Sequence, residues 1–163
     1  MTAVLEEVED PKIRARLIRI LGKIGDNSKL ALLRLSLHDE NKVIKDAAVR
    51  ALADWPGLSP KYDLLHIAKN TGDSIHKILA LRAYIRMIER GKYQSPEGAV
   101  QSLKTSLGLA SRPEEKKLVL GVLPVFACKE ALILAESLLE DEAVQDEARS
   151  AIDQIQKNMR RQP

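Results

Sequence analysis

The sequence has little of what catalytic or cross-linked proteins are assembled from. It holds a single cysteine, Cys128, so no intramolecular disulfide can form and no cysteine-based zinc site can be built. Cys128 follows the apolar run VFA and reads as a buried, inert thiol rather than a nucleophile. Aromatic residues make up 3% of the 163 positions, which leaves few rings to stack on bases or sugars and few side chains that favour strands. Of the three histidines, His38, His66 and His76, no two are spaced i, i+4 to grip a metal. Gly-rich phosphate loops are absent, because GKIGD and GDNSK lack both the spacing and a preceding strand. No apolar run approaches the roughly 20 residues that span a bilayer, and MTAVLEEVED lacks the basic and apolar blocks of a secretory leader. The expectation is a protein without catalytic, cofactor-binding or metal-ligating residues.

What is present is a normal globular balance, 45% hydrophobic and 30% charged, rich in the helix formers Leu, Ala, Ile, Lys, Glu and Arg. The chain should be all-helical and long enough for a buried core. A formal charge of +3 is unevenly spread. Residues 41–110 hold eleven Lys or Arg against six Asp or Glu, and residues 111–163 hold eight against ten. Such an imbalance allows an anionic partner without requiring one. Acidic residues gather instead at turns, as at Glu6, Glu7, Glu9 and Asp10 and again at Glu140, Asp141 and Glu142, where helix N-termini favour them.

The chain also repeats itself. Segments IRARLIRILGKI (13–24), IKDAAVRALADW (44–55), HKILALRAYIRM (76–87), EKKLVLGVLPVF (115–126) and VQDEARSAIDQI (144–155) align with the same columns apolar. Counting the first residue of each as zero, offsets +4, +7, +8 and +11 trace one face of a helix; Trp55 stands in the +11 column with Ile24, Met87, Phe126 and Ile155. A shorter helical pattern precedes each segment, at 3–9, 29–37, 62–69, 96–107 and 129–140, and a polar turn joins the two. Pro11 and Pro113 sit where a helix starts, Gly25 and Pro56-Gly57 where one ends. The repeats span about 2–25, 27–56, 59–92, 95–127 and 128–160.

The segments EDPKIRARLIRILGKIG and LHDENKVIKDAAVRALADW resemble HEAT repeats, whose second helix opens on Val or Ile followed by Arg or Lys and continues Ala, Ala-Leu-Gly. The resemblance implies a right-handed α-α superhelix, or solenoid, of about five helical hairpins in one domain over residues 1–163. Repeat 3 departs at His76, and repeat 4 departs at Glu115 and at Pro124, which should kink its helix. A narrower likeness in ALADWP, HKILALRAYIRMI and RPEEKKLVLGVLP is to HEAT-type arrays of large multidomain bacterial proteins. It implies an accessory module, excised from a longer chain. Such a module is cytoplasmic by default and exported if its parent is secreted. HEAT-like hydroxylases bind iron through repeated His-Glu pairs; this chain has none.

Offset +6 holds Arg19, Arg50 and Arg82, then Gly121 and Ser150. At 100° per residue it lies almost opposite the core columns, so the three arginines should face away from the core. With neighbouring helices about 8–10 Å apart they would form a ladder about 20 Å long, flanked by Lys23 and Arg86 over a small-residue floor that includes Gly22 and Ala53. A further basic column, Arg14, Lys45, Lys77 and Lys116 at offset +1, is in a position that HEAT repeats use to tie the turn to neighbouring repeats. The functional expectation is a monomeric, non-catalytic scaffold that offers Arg19, Lys23, Arg50, Arg82 and Arg86 on a concave surface to a protein partner or to other domains of a parent chain. The alternatives are nucleic-acid or polyanion binding through the Arg19/Arg50/Arg82 ladder, and an enzyme of the HEAT-like DNA glycosylase type.

Overall fold

A computed structural model describes residues 8–91 and 95–161; the short helix expected over 3–9 lies almost wholly outside them. Nine α-helices occur among the described residues, with no strand. In order they are α1 (Pro11–Ile24), α2 (Leu30–Ser36), α3 (Lys42–Ala53), α4 (Lys61–Asn70), α5 (Ser74–Arg90), α6 (Pro96–Leu109), α7 (Pro113–Val122), α8 (Lys129–Glu136) and α9 (Gln145–Met159). Short 3₁₀ turns lead into α2 at Asn27–Lys29 and follow α7 at Leu123–Phe126. The fold is all-α, made of repeated helical pairs.

Local chemistry explains where the helices begin. Asp10, Asn41 and Ser95 each accept a backbone N–H of the helix that follows, at 2.8, 2.9 and 3.1 Å, which satisfies donors that a helix leaves orphaned. Pro11, Pro96 and Pro113 open α1, α6 and α7, where the missing N–H is no loss. Gly25 ends α1 in the left-handed region at φ 70°, its N–H returning to Leu21 O. Only glycine adopts this cap cheaply.

The described chain divides into two compact units inside α5, between Met87 and Ile88. In the first unit α1 packs along α3, and α2 and α4 also pack on α3. The α1–α3 contact is very close. A β-carbon at Gly22 would lie 2.5 Å from Ala51 Cα and 2.6 Å from Ala51 O, and one at Gly25 would meet the Pro56 ring. The two helices therefore run parallel and in register, one repeat apart. The core columns hold through α3 and α5: Ala48, Ala51, Leu52, Trp55, Ala80, Ala83, Tyr84 and Met87 are all buried. They do not hold in α1, where Ile13, Ile20 and Ile24 are 48%, 50% and 55% exposed while Ala15, Ile18 and Leu21 are buried. Among the described residues α1 is a terminal helix with no pair before it, and it turns inward only the face that meets α3.

The second unit is built on α6–α9, with α9 packed on α8, α7 and the 3₁₀ turn. Val119, Leu123, Val144, Ala148, Ala151 and Ile155 are buried there, as their columns require. Pro124 does more than kink its helix. The α-helical course ends at Val122 and tightens to 3₁₀ around the proline, whose ring and missing N–H prevent continuation; Asn158 Nδ2 donates to Pro124 O at 2.8 Å. Glu115, polar where its column is otherwise mostly apolar, is nonetheless buried, and the Arg112 guanidinium forks onto it at 2.9 and 3.2 Å. A buried carboxylate is tolerated because it is paired.

Candidate functional site

The basic side chains at offset +1 tie repeats together in two places. Arg14 reaches Asp39 in the following turn at 3.7 Å, and Lys116 reaches Asp141 in its own following turn at 2.6 Å. That pairing, helped by the Ala143 N–H, holds the Asp141 carboxyl below its usual range. Lys45 and Lys77, the other members of the column, take part in no ion pair among the described residues.

The arginine column at offset +6 is not an open ladder. Arg19 donates to Asp54 at 2.9 Å, and Arg50 forks onto Asp46, one turn earlier on its own helix, at 2.8 and 3.0 Å. Arg19, Arg50 and Arg82 are all half-buried. Arg86 donates to the carbonyl of Ala53, the last residue of α3, a position where a cation also meets the negative end of the helix. Gly22 and Ala53, expected as an open floor beside the ladder, are buried against the neighbouring repeat. Spacing showed that these residues lie away from the core columns, but not that acids at offsets +2 and +10 would bind two of the arginines.

Asp46 is the hub of this network, since His76 Nε2 also lies 3.1 Å from its Oδ1. Partial burial pushes the Asp46 carboxyl upward, but the hydrogen bonds from Arg50 and His76 outweigh it and hold the group below its ordinary value of 3.8. A depressed carboxyl stabilises the fold fully above its unfolded pKa and loses that contribution as pH falls through the folded one. Asp46→Asn should therefore be less stable than the parent near neutral pH, and the gap should close as pH falls below about 4. Urea unfolding across that range measures it.

Of the five basic residues picked out from sequence, Lys23 alone is fully exposed on α1, and it belongs to a site the column reading missed. Lys12, Arg16, Arg19 and Lys23 recur at spacings of 4, 3 and 4 and so form one stripe. They border a groove of about 590 Å³ between α1 and α3, whose other lining includes Ala15, Ile20, Val43 and Ala47. Asp46 is its one acidic residue among those described. No ion pair among the described residues engages Lys12, Arg16 or Lys23, and the Nε–H of Arg19 is buried without a partner. Among the described residues the groove therefore presents three cations without an ion-pair partner, Lys12, Arg16 and Lys23, around an apolar floor.

A family model for HEAT repeats matches residues 1–85, more than half of the chain. The chain belongs to the HEAT-repeat family. No curated protein and no solved structure matches it. HEAT repeats generally mediate protein–protein interaction or scaffolding, and the family is typically non-catalytic. Both the groove and the arginine network of this HEAT protein lie within or beside the matched segment. Among the described residues no cluster of His, Cys, Asp or Glu could hold a metal ion, and no helix is long and apolar enough to cross a membrane. Cys128 is half-buried rather than buried as expected; that partial burial still pushes its thiol up, which disfavours the thiolate that nucleophilic chemistry needs.

Proposed function

We propose that the protein is a non-catalytic interaction module that receives an acidic helical segment of a partner protein, or of another domain of a parent chain, in the α1–α3 groove. The observation that carries this reading is the stripe of Lys12, Arg16, Arg19 and Lys23 beside an apolar floor. From Lys12 to Lys23 the helix rises eleven steps of 1.5 Å, about 16 Å. A partner helix with Glu or Asp at matching spacing places carboxylates opposite Lys12, Arg16 and Lys23, and its adjacent apolar stripe rests on Ile20 and Val43. The Arg19 guanidinium stays anchored on Asp54, which pre-orders it at small entropic cost.

A polyanion reading through the Arg19/Arg50/Arg82 ladder draws less support, because Asp54 and Asp46 already neutralise two of its rungs. The stripe on α1 is shorter than a nucleic-acid track and is floored by aliphatic side chains rather than aromatic platforms. Fluorescence anisotropy separates the two. A labelled amphipathic peptide of about 14 residues with Glu in the 4, 3, 4 pattern should bind saturably, and its Gln counterpart should bind far more weakly. Tighter binding of a single-stranded oligonucleotide than of the Glu peptide, with a steep loss of affinity on adding salt, would overturn the protein-partner reading.

A further inference from the structure

The three histidines, scattered in sequence, line one cleft of about 580 Å³ within the first unit. It shares no lining residue with the α1–α3 groove. Helices α2 and α4 each pack on α3 rather than along each other. The gap between them is bridged by Arg34, whose guanidinium forks onto Asp63 at 2.9 to 3.2 Å, so that this pair cancels its own charge. Leu37, Val49 and Ile67 supply an apolar lining, and Tyr62, 77% exposed, stands at the rim.

Lys45 is the cation left over. Its column partners Arg14 and Lys116 each hold the acid of the following turn. For Lys45 the equivalent acid is Asp73, whose Oδ1 accepts the backbone N–H groups of Ile75 and His76 at 2.8 and 3.0 Å. Lys45 takes part in no ion pair among the described residues. It is half-buried and lines the cleft.

The imidazoles are set as well. Asn70 Nδ2 donates to His66 O at 2.9 Å and lies 3.2 Å from His66 Nδ1. A backbone carbonyl can only accept, which orients the amide, so Nδ1 of His66 accepts and Nε2 carries the proton. His76 Nε2 faces the accepting Asp46 carboxylate at 3.1 Å, which places an N–H there. The cleft thus combines one uncompensated cation and a preset N–H with an apolar surface. Its volume lies in the range of about 300–1,000 Å³ typical of small-molecule sites.

We propose that this cleft binds a small organic anion, its phosphate or carboxylate head held by Lys45 and His66 and its aromatic or aliphatic body resting on Leu37, Val49 and Ile67. The chemistry of the head is shared by phosphate monoesters and carboxylates, and the body distinguishes both from inorganic ions. Neither ligand class requires the groove on α1 to be filled.

The test is a titration of the histidine ring resonances by heteronuclear NMR, with phenyl phosphate, phenylacetate and inorganic phosphate as probes. At least one aromatic anion should shift the His66 and His76 rings saturably, and whichever binds more tightly identifies the preferred head. Inorganic phosphate should bind more weakly than phenyl phosphate. Lys45→Met, which keeps the aliphatic stem, should weaken the bound probe about tenfold, the worth of one charge-assisted hydrogen bond, whereas Lys157→Met on α9 should bind as the parent does. If Lys45→Met fails to fold, Tyr62→Ala at the exposed rim should still reduce affinity for the aromatic anion without altering that for inorganic phosphate. Absence of saturable shifts with either aromatic anion would overturn the proposal. So would unchanged binding by folded Lys45→Met, or by Tyr62→Ala when it stands in for an unfolded Lys45→Met, or inorganic phosphate binding as tightly as phenyl phosphate.

Discussion

Trp55→Ala should lower the stability of the protein by about 3–5 kcal/mol, the usual cost of emptying a large aromatic site that cannot collapse. Trp55 is 1% exposed and lies just beyond the Asp54 cap of α3, and Gly57 lies against the edge of its indole. The preceding residues Leu52 and Ala53 are themselves buried, so little around the site is free to move into the void. A domain's whole stability is about 5–15 kcal/mol, and the loss should leave the first unit near its unfolding threshold at physiological temperature. Since Trp55 is the only tryptophan, the parent's native emission should be blue-shifted and should move red in a single transition as urea unfolds that unit. Circular dichroism of the variant supplies the matching midpoint. A water-like native emission from the parent would contradict the burial of this side chain.

Gly22→Ala should destabilise by about 1–3 kcal/mol, and the sign matters more than the size. At an exposed helical site the same change stabilises by roughly 0.5–1 kcal/mol, because glycine is the more costly residue to order. Here a methyl group would sit 2.5 Å from Ala51 Cα and 2.6 Å from Ala51 O. Carbon atoms pack at about 3.5–4.0 Å, and backbone cannot swing aside as a side chain can. Accommodating the methyl group means moving α1 off α3 by about 1 Å, which loosens the packing of Ala15 and Ile18 and stretches the Arg19–Asp54 bridge. Thermal melts of the two proteins decide the sign; a raised midpoint in the variant would show that the two helices are not in contact at Gly22.

These two residues also mark how far the sequence was legible. The apolar columns, the shorter helical patterns before them, the starts at Pro11 and Pro113 and the Gly25 stop placed the described helices, because each reflects chemistry carried by one residue or one helix face. Trp55 in the core was readable for the same reason. Gly22 was visible only as a small residue beside a supposed surface groove, since a single copy of a repeat does not reveal how closely the next copy approaches. Arg50 lies away from the buried columns, but its pairing with Asp46 depends on an i, i+4 partner that the column comparison passed over. The stripe on α1 was present in the spacing of Lys12, Arg16, Arg19 and Lys23, yet comparison between repeats hides a pattern that belongs to one helix alone. Ile13, Ile20 and Ile24 came out exposed because a column predicts burial only where a neighbour covers it, and among the described residues no helix precedes α1.

The central claim is that the groove between α1 and α3 is a docking site for an acidic helix. Amide chemical-shift mapping of the labelled protein with the Glu-patterned peptide tests it most directly. The largest shifts should fall on residues 12–23 and 43–47, saturate together, and disappear in the Arg16→Glu/Lys23→Glu double variant while its dispersed spectrum shows an intact fold. Shifts centred elsewhere, or saturable shifts that survive the double charge reversal, would contradict the assignment of this groove as the partner site.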